Sequence, residues 1–212
     1  MVRIAYPPPS PVAPPPAPLL YTLARGAQLV RIFTTAYGMT ARTFREYGPT
    51  ARFDHHRGYP AHSGYDPRHR GVYYAARSLE GCLVEVFGDS RIVDPHGYYV
   101  AQPLLTRDVT LLDLRGNGAL RAGTVAAIAK ADNVVVTQAW SRFFYKRSDI
   151  YSMIDGLVWL NAHNDDTAIM LYERAADAID CPDSRVMPLD DPLLHRALVR
   201  AAQRTNMKLE PG

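Results

Sequence analysis

The chain has 212 residues, 47% hydrophobic and 21% charged, with a net charge of +3. That length suits one globular unit with a sizeable core, and the scattered arginines argue against a basic nucleic-acid stripe. Two cysteines, Cys82 and Cys181, cannot build a disulfide framework. No apolar run is long enough to span a bilayer and no signal-peptide pattern opens the sequence. The expectation is therefore a soluble, cytoplasmic protein with reduced thiols and no membrane partner.

Eight of the 17 prolines lie between Pro7 and Pro18. Proline fixes φ and removes a donor, so residues 1–27 read as an extended arm outside the packed core. A single domain is expected over residues 28–212. It opens with the strand LVRIFTT, in which Arg31 interrupts apolar neighbours. Such an arginine either faces water from an edge strand or clamps a phosphate or carboxylate. Residues 36–70 read as a long loop rich in Gly, Pro, Tyr and Arg. It holds Arg52 in GPTARFDHHRG, with Asp54 and Asp66 as competing ion-pair partners. His55, His56, His62 and His69 fall in the same loop, but no cysteine joins them and their spacing fits no tetrahedral metal pattern, so no metal is expected.

GVYYAA reads as a strand. Ser78 is a helix N-cap, and Leu79, Cys82, Leu83, Val86 and Phe87 follow at helical spacing. Glu85 points to the side of that apolar stripe, and a solvent-facing glutamate is its plain alternative. Tyr74 shares a strand face with Val72 and Ala76, where a small residue beside an aromatic leaves room for a flat ligand. YYVAQPLL and VTLLDL read as strands, residues 118–130 as an Ala-rich helix, and TQAWSRFFYKR as a helix from near Thr137. GLVWLN and AIMLYER form a hairpin through AHNDDT, and the last helix covers residues 190–205. Neighbouring strands with short links favour a mixed α+β fold over a doubly wound parallel sheet. No GxGxxG, Walker, HExxH or GxSxG motif occurs, so any chemistry rests on dispersed residues.

Arg31 in a first strand, Arg52 in an ARF turn, Tyr74-Ala-Ala followed by Glu85, and a late DGLVW strand together resemble the RES-domain family, over about residues 28–175. The resemblance implies an ADP-ribosyltransferase-like fold, with small mixed sheets and flanking helices around a cleft that takes NAD. It implies a toxin of a bacterial toxin–antitoxin pair that breaks the nicotinamide–ribose bond by hydrolysis or phosphorolysis. Some members transfer ADP-ribose to a protein instead. NAD is then the substrate, and no cofactor is implied.

By the same resemblance Arg31 and Arg52 would hold the pyrophosphate, Tyr74 would pack on the nicotinamide or ribose, and Glu85 would engage the nicotinamide ribose. The serine that completes the Arg, Glu, Ser trio would be Ser141 in TQAWSRFF, with Thr137 and Asn161 of WLNAHND as alternatives. A carboxylate suits this cleavage because it stabilises an oxocarbenium-like state. The implied partner is an Xre-type antitoxin with a helix-turn-helix domain, so any link to nucleic acid is indirect. A non-catalytic protein-binding module that grips a partner through the arm and the Arg/His loop is the alternative from another class.

Overall fold

The computed structural model describes residues 4–8, 16–58, 64–66 and 68–211. In chain order the strands and helices are β1 (Leu20–Leu23), β2 (Arg31–Thr34), β3 (Tyr47–Gly48), β4 (Gly64–Tyr65), β5 (Val72–Ala76), α1 (Leu79–Phe87), β6 (Ile92–Val93), β7 (Tyr98–Ala101), β8 (Leu104–Leu105) and β9 (Val109–Asp113). There follow α2 (Asn117–Arg121), α3 (Val134–Lys146), α4 (Ser148–Tyr151), β10 (Gly156–Leu160), β11 (Thr167–Tyr172), β12 (Ile179–Asp180), β13 (Val186–Pro188), α5 (His195–Thr205) and β14 (Lys208–Leu209).

The main sheet has five strands in the order β1-β9-β10-β11-β5, and only the β9–β10 pair is parallel. A second, three-stranded sheet runs β13-β7-β2, and a bridge between Val30 and Ala76 ties it to β5. This is the expected mixed fold of small sheets with flanking helices. The central strands are near-continuous apolar runs because both faces are buried. On one face Val72, Leu112, Leu157, Trp159, Met170 and Tyr172 pack against Trp140, Phe144 and Tyr151 of α3 and α4. On the other, Tyr73, Leu111, Val158, Ile169 and Leu171 pack over Leu29 and Leu105. A further cluster joins α1 to α5 through Cys82, Leu83, Phe87, Leu198 and Ala201.

The expected boundary near Gln28 falls inside the fold, since β1 is an edge strand of the main sheet. The described parts of the arm, residues 4–8 and 16–27, are not outside the packed core either. Ile4 packs against the α3 cluster, and the Trp140 indole donates to the Ala5 carbonyl at 2.7 Å. Ala17 exchanges hydrogen bonds with Arg121. A proline-rich segment lacks donors but keeps its carbonyls, and these are what Trp140 and Arg121 use. Residues 118–130 are two short pieces rather than one helix, because the chain turns at Gly123 with φ +85°. Helix α3 starts earlier than Thr137, capped by Asn133 accepting from Val136 N at 3.3 Å. Helix α5 starts later, at His195, after a turn around Pro192. Among the described residues no helix is long and apolar enough to cross a membrane.

Candidate active site

Strand β5 and helix α1 form a strand–turn–helix corner at Arg77-Ser78. Ser78 caps α1 as expected, its Oγ accepting from Gly81 N at 2.9 Å and donating to Asp166 Oδ2 at 2.6 Å. The corner encloses a small cavity of about 60 Å³ lined by Ile32, Tyr74, Ala76, Glu85, Val86 and Trp159, among others. Its walls are mostly apolar, and Glu85 is the one carboxylate among the residues lining it. Tyr74 and Glu85, expected together from the sequence, are together.

Glu85 is exposed at the rim and has no hydrogen-bond partner among the described residues. Burial of its carboxyl against the cavity wall raises its pKa above the ordinary value, while Arg52 and His163 pull it back. Arg52 is therefore within electrostatic reach of Glu85. Neither expected competitor pairs with it. Asp54 takes both oxygens to Arg45 at 2.9 Å, and Asp66 accepts from the amides of Arg57 and Arg68. The Arg52 guanidinium donates instead to the Ala131 carbonyl.

Tyr74 stands with its ring edge-on to Trp159, centroids 6.3 Å apart. Its hydroxyl donates to Asp54 Oδ1 at 2.9 Å and accepts from Phe53 N at 3.1 Å, so the strand is fastened to the Arg52 turn. His163 is within electrostatic reach of Glu85. Its ring lies so near Gly88 that a Cβ there would meet it at 2.7 Å, and its Nε2 is 3.7 Å from Asp89. Only a residue without a side chain fits between helix and hairpin at that point.

The other expected residues are elsewhere. Arg31 does not line this cavity. Its side chain is on the opposite face of β2 from Ile32, 4% exposed, stacked 4.0 Å from the Tyr73 ring centroid and donating to Thr43 O at 2.9 Å. Burial lowers its pKa, and a cation–π contact replaces lost hydration. Ser141 is fully buried on α3, donating to Phe53 O at 2.6 Å and lying 3.3 Å from the Tyr172 hydroxyl. Thr137, also buried, donates to the Arg52 carbonyl. Asn161 is buried at the start of the β10–β11 turn, where Oδ1 accepts from His163 N and Asn164 N at 3.0 and 2.9 Å. It shapes the hairpin that carries His163, and its Nδ2 has no partner among the described residues. None of these three side chains is on the cavity wall.

The histidines divide. His55 and His56 are buried, His69 is exposed and 3.0 Å from Glu46, and His62 lies outside the described residues. Among the described residues no group of three or more His, Cys, Asp or Glu side chains is placed to hold a metal. Trp159 on the cavity wall, Arg45, which holds Asp54 beside the Arg52 turn, and His163 near Glu85 are not marked by any pattern in the sequence. Trp159 sits in the DGLVW strand, where alternation with Val158 puts it on the Tyr74 face. Arg45 and Asp54 are nine residues apart in an irregular loop, and no periodicity links them. A larger groove of about 320 Å³ lies on the other face of β2, lined by Phe33, Met39, Arg42, Tyr99, Cys181 and Asp183 among others. Glu85 is not part of it.

A mixed-sheet fold with a carboxylate at a cavity rim and an arginine turn within its electrostatic reach defines the architecture. The RES domain model matches residues 28–192, and the chain belongs to that family. A chain of the crystal structure of the M. tuberculosis MbcT–MbcA toxin–antitoxin complex is similar in fold, with a TM-score of 0.55 and 16% identity, covering 84% of this chain and 91% of that one. No curated protein matches by sequence.

Proposed function

We propose that this chain cleaves the nicotinamide–ribose bond of NAD and acts as the toxin of a toxin–antitoxin pair. One observation carries the chemistry. Glu85 is a carboxylate without a hydrogen-bond partner among the described residues, raised in pKa, at the rim of a cavity walled by Tyr74 and Trp159 and within electrostatic reach of Arg52. A carboxylate so placed stabilises positive charge as it develops on the ribose. Arg52 would take the pyrophosphate, and Tyr74 with Trp159 would flank the nicotinamide end. Nicotinamide leaves as a neutral molecule, so no strong acid is needed at the leaving group.

Membership of the RES domain family supports the NAD reading, and the likeness to a chain of a toxin–antitoxin complex supports an antitoxin partner. We propose an Xre-type antitoxin and action in the cytoplasm, where NAD is abundant. The test is incubation of purified protein with NAD, with and without phosphate. Nicotinamide release in water or phosphate is the expected result and names the acceptor. Labelling of a protein by ADP-ribose would make the chain a transferase that uses the same cleft. No turnover under either condition would leave a binding module.

A further inference from the structure

The turn that carries Arg52 is gripped from two sides in a way that ordinary surface loops are not. From α3, three side chains donate to three consecutive carbonyls. Gln138 Nε2 reaches Ala51 O at 3.0 Å, Thr137 Oγ1 reaches Arg52 O, and Ser141 Oγ reaches Phe53 O at 2.6 Å. All three side chains are fully buried. From the other side, the Asp54 carboxylate accepts from Thr50 N at 2.6 Å and Ala51 N at 3.0 Å, while Phe53 N donates to the Tyr74 hydroxyl. Arg45 fixes Asp54 through Nη2, which donates to both carboxylate oxygens. Positions 137, 138 and 141 share one face of a helix, because 141 follows 137 by about one turn.

Loop carbonyls usually find water, and their satisfaction needs no buried side chains. Here the helix commits three polar residues to a segment that carries one arginine, Arg52, half-buried with its guanidinium on the Ala131 carbonyl. An arginine backbone held still loses less freedom when its fork closes on a phosphate, and small misplacements of such a group are costly. We propose that Thr137, Gln138 and Ser141 are positioning residues that aim Arg52 at the pyrophosphate of the substrate. This rests on the NAD reading above. The serine of the family trio then acts through the peptide backbone, and Gln138 joins it in a role that sequence spacing does not reveal.

The test is NAD titration and steady-state kinetics of Gln138→Met, Ser141→Ala and Thr137→Val, each alone and combined with Arg52→Ala, with melting curves for all. The singles should weaken NAD affinity about tenfold to a hundredfold through misplaced arginine, with a much smaller change in kcat. Thr137→Ser, which keeps the hydroxyl, should bind NAD like the wild type. In the Arg52→Ala background the same substitutions should cost nothing further, because residues acting through one group are not additive. Fully additive losses, or unchanged affinity in folded variants that only melt earlier, would overturn the inference while leaving the NAD reading intact. If Ser141→Ala does not fold, the Gln138 and Thr137 pairs carry the same decision. A wild-type protein that binds no NAD would sink the functional reading and the positioning role with it.

Discussion

Glu85 and Glu173 are two carboxylates in opposite circumstances. Glu85 sits at a rim without a hydrogen bond to any described residue, and burial against apolar wall raises its pKa. Glu173, just after β11, is also pushed up by burial, but its bonds outweigh that and hold it at about 2. His55 Nε2 lies 2.9 Å from one oxygen, Gly71 N donates to the same oxygen at 3.3 Å, and the Tyr145 hydroxyl donates to the other. His55 is itself fully buried between Tyr145 and Tyr172, with its pKa lowered by burial, so it serves as a neutral donor. A carboxylate with all its bonds made holds a fold together. One left open at the rim of a cavity is available for chemistry.

The largest effect should come from Glu85→Gln. Turnover of NAD by purified protein should fall by about 10²–10³, the usual loss for one well-placed electrostatic group, with melting temperature and NAD affinity unchanged. Near-native turnover would erase the contrast between the two glutamates. The mirror experiment is Glu173→Gln, which sets an amide donor against three donors. It should cost about 2–3 kcal/mol of stability in denaturant unfolding and leave turnover per folded molecule intact. Loss of turnover with full stability would place Glu173 in the chemistry instead.

Two arginines repeat the contrast among cations. Arg52 lies within electrostatic reach of Glu85, whereas Arg31 is buried and stacked on Tyr73. Arg31→Ala should therefore show mainly in the melting curve, by about 2–3 kcal/mol for a buried charged hydrogen bond, and Arg31→Lys should restore little, because an ammonium does not stack or fork like guanidinium. A stable Arg31→Ala protein that has lost NAD affinity would return Arg31 to the site.

The pH profiles should separate the two carboxylates further. Turnover needs Glu85 ionised, so kcat/KM should decline on the acid side with an apparent pKa above the ordinary 4.5. Stability follows the other network. His55 resists a proton that the unfolded chain accepts near 6.5, so stability falls as pH drops below that value. Glu173 adds a second loss between about 4.5 and about 2, where the unfolded carboxyl is protonated and the folded one is not. Melting temperature against pH should show both steps, and Glu173→Gln should remove the lower one. The smallest effect is expected at Asn161. Asn161→Ala removes two turn hydrogen bonds and should cost about 1–2 kcal/mol, with NAD affinity little changed. A large loss of affinity would bring the hairpin into the site.

Local pattern carried much of this protein. Ser78 before an apolar 3.6-residue stripe specified α1 and its start, and runs such as GLVWL and AIMLY specified strands buried on both faces. The corner that sets Tyr74 beside Glu85 followed from the same pattern, since adjacent elements joined by a tight turn must be neighbours. Tertiary structure alone decided the rest. Whether a polar residue in an apolar element meets solvent, ligand or backbone depends on what packs opposite it, and that partner is distant in sequence. Arg31 meets Tyr73 and Thr43 across two strands, and Ser141 meets a carbonyl 88 residues away. The arm docks because an indole and a guanidinium on α3 and α2 reach its carbonyls, a match no composition records.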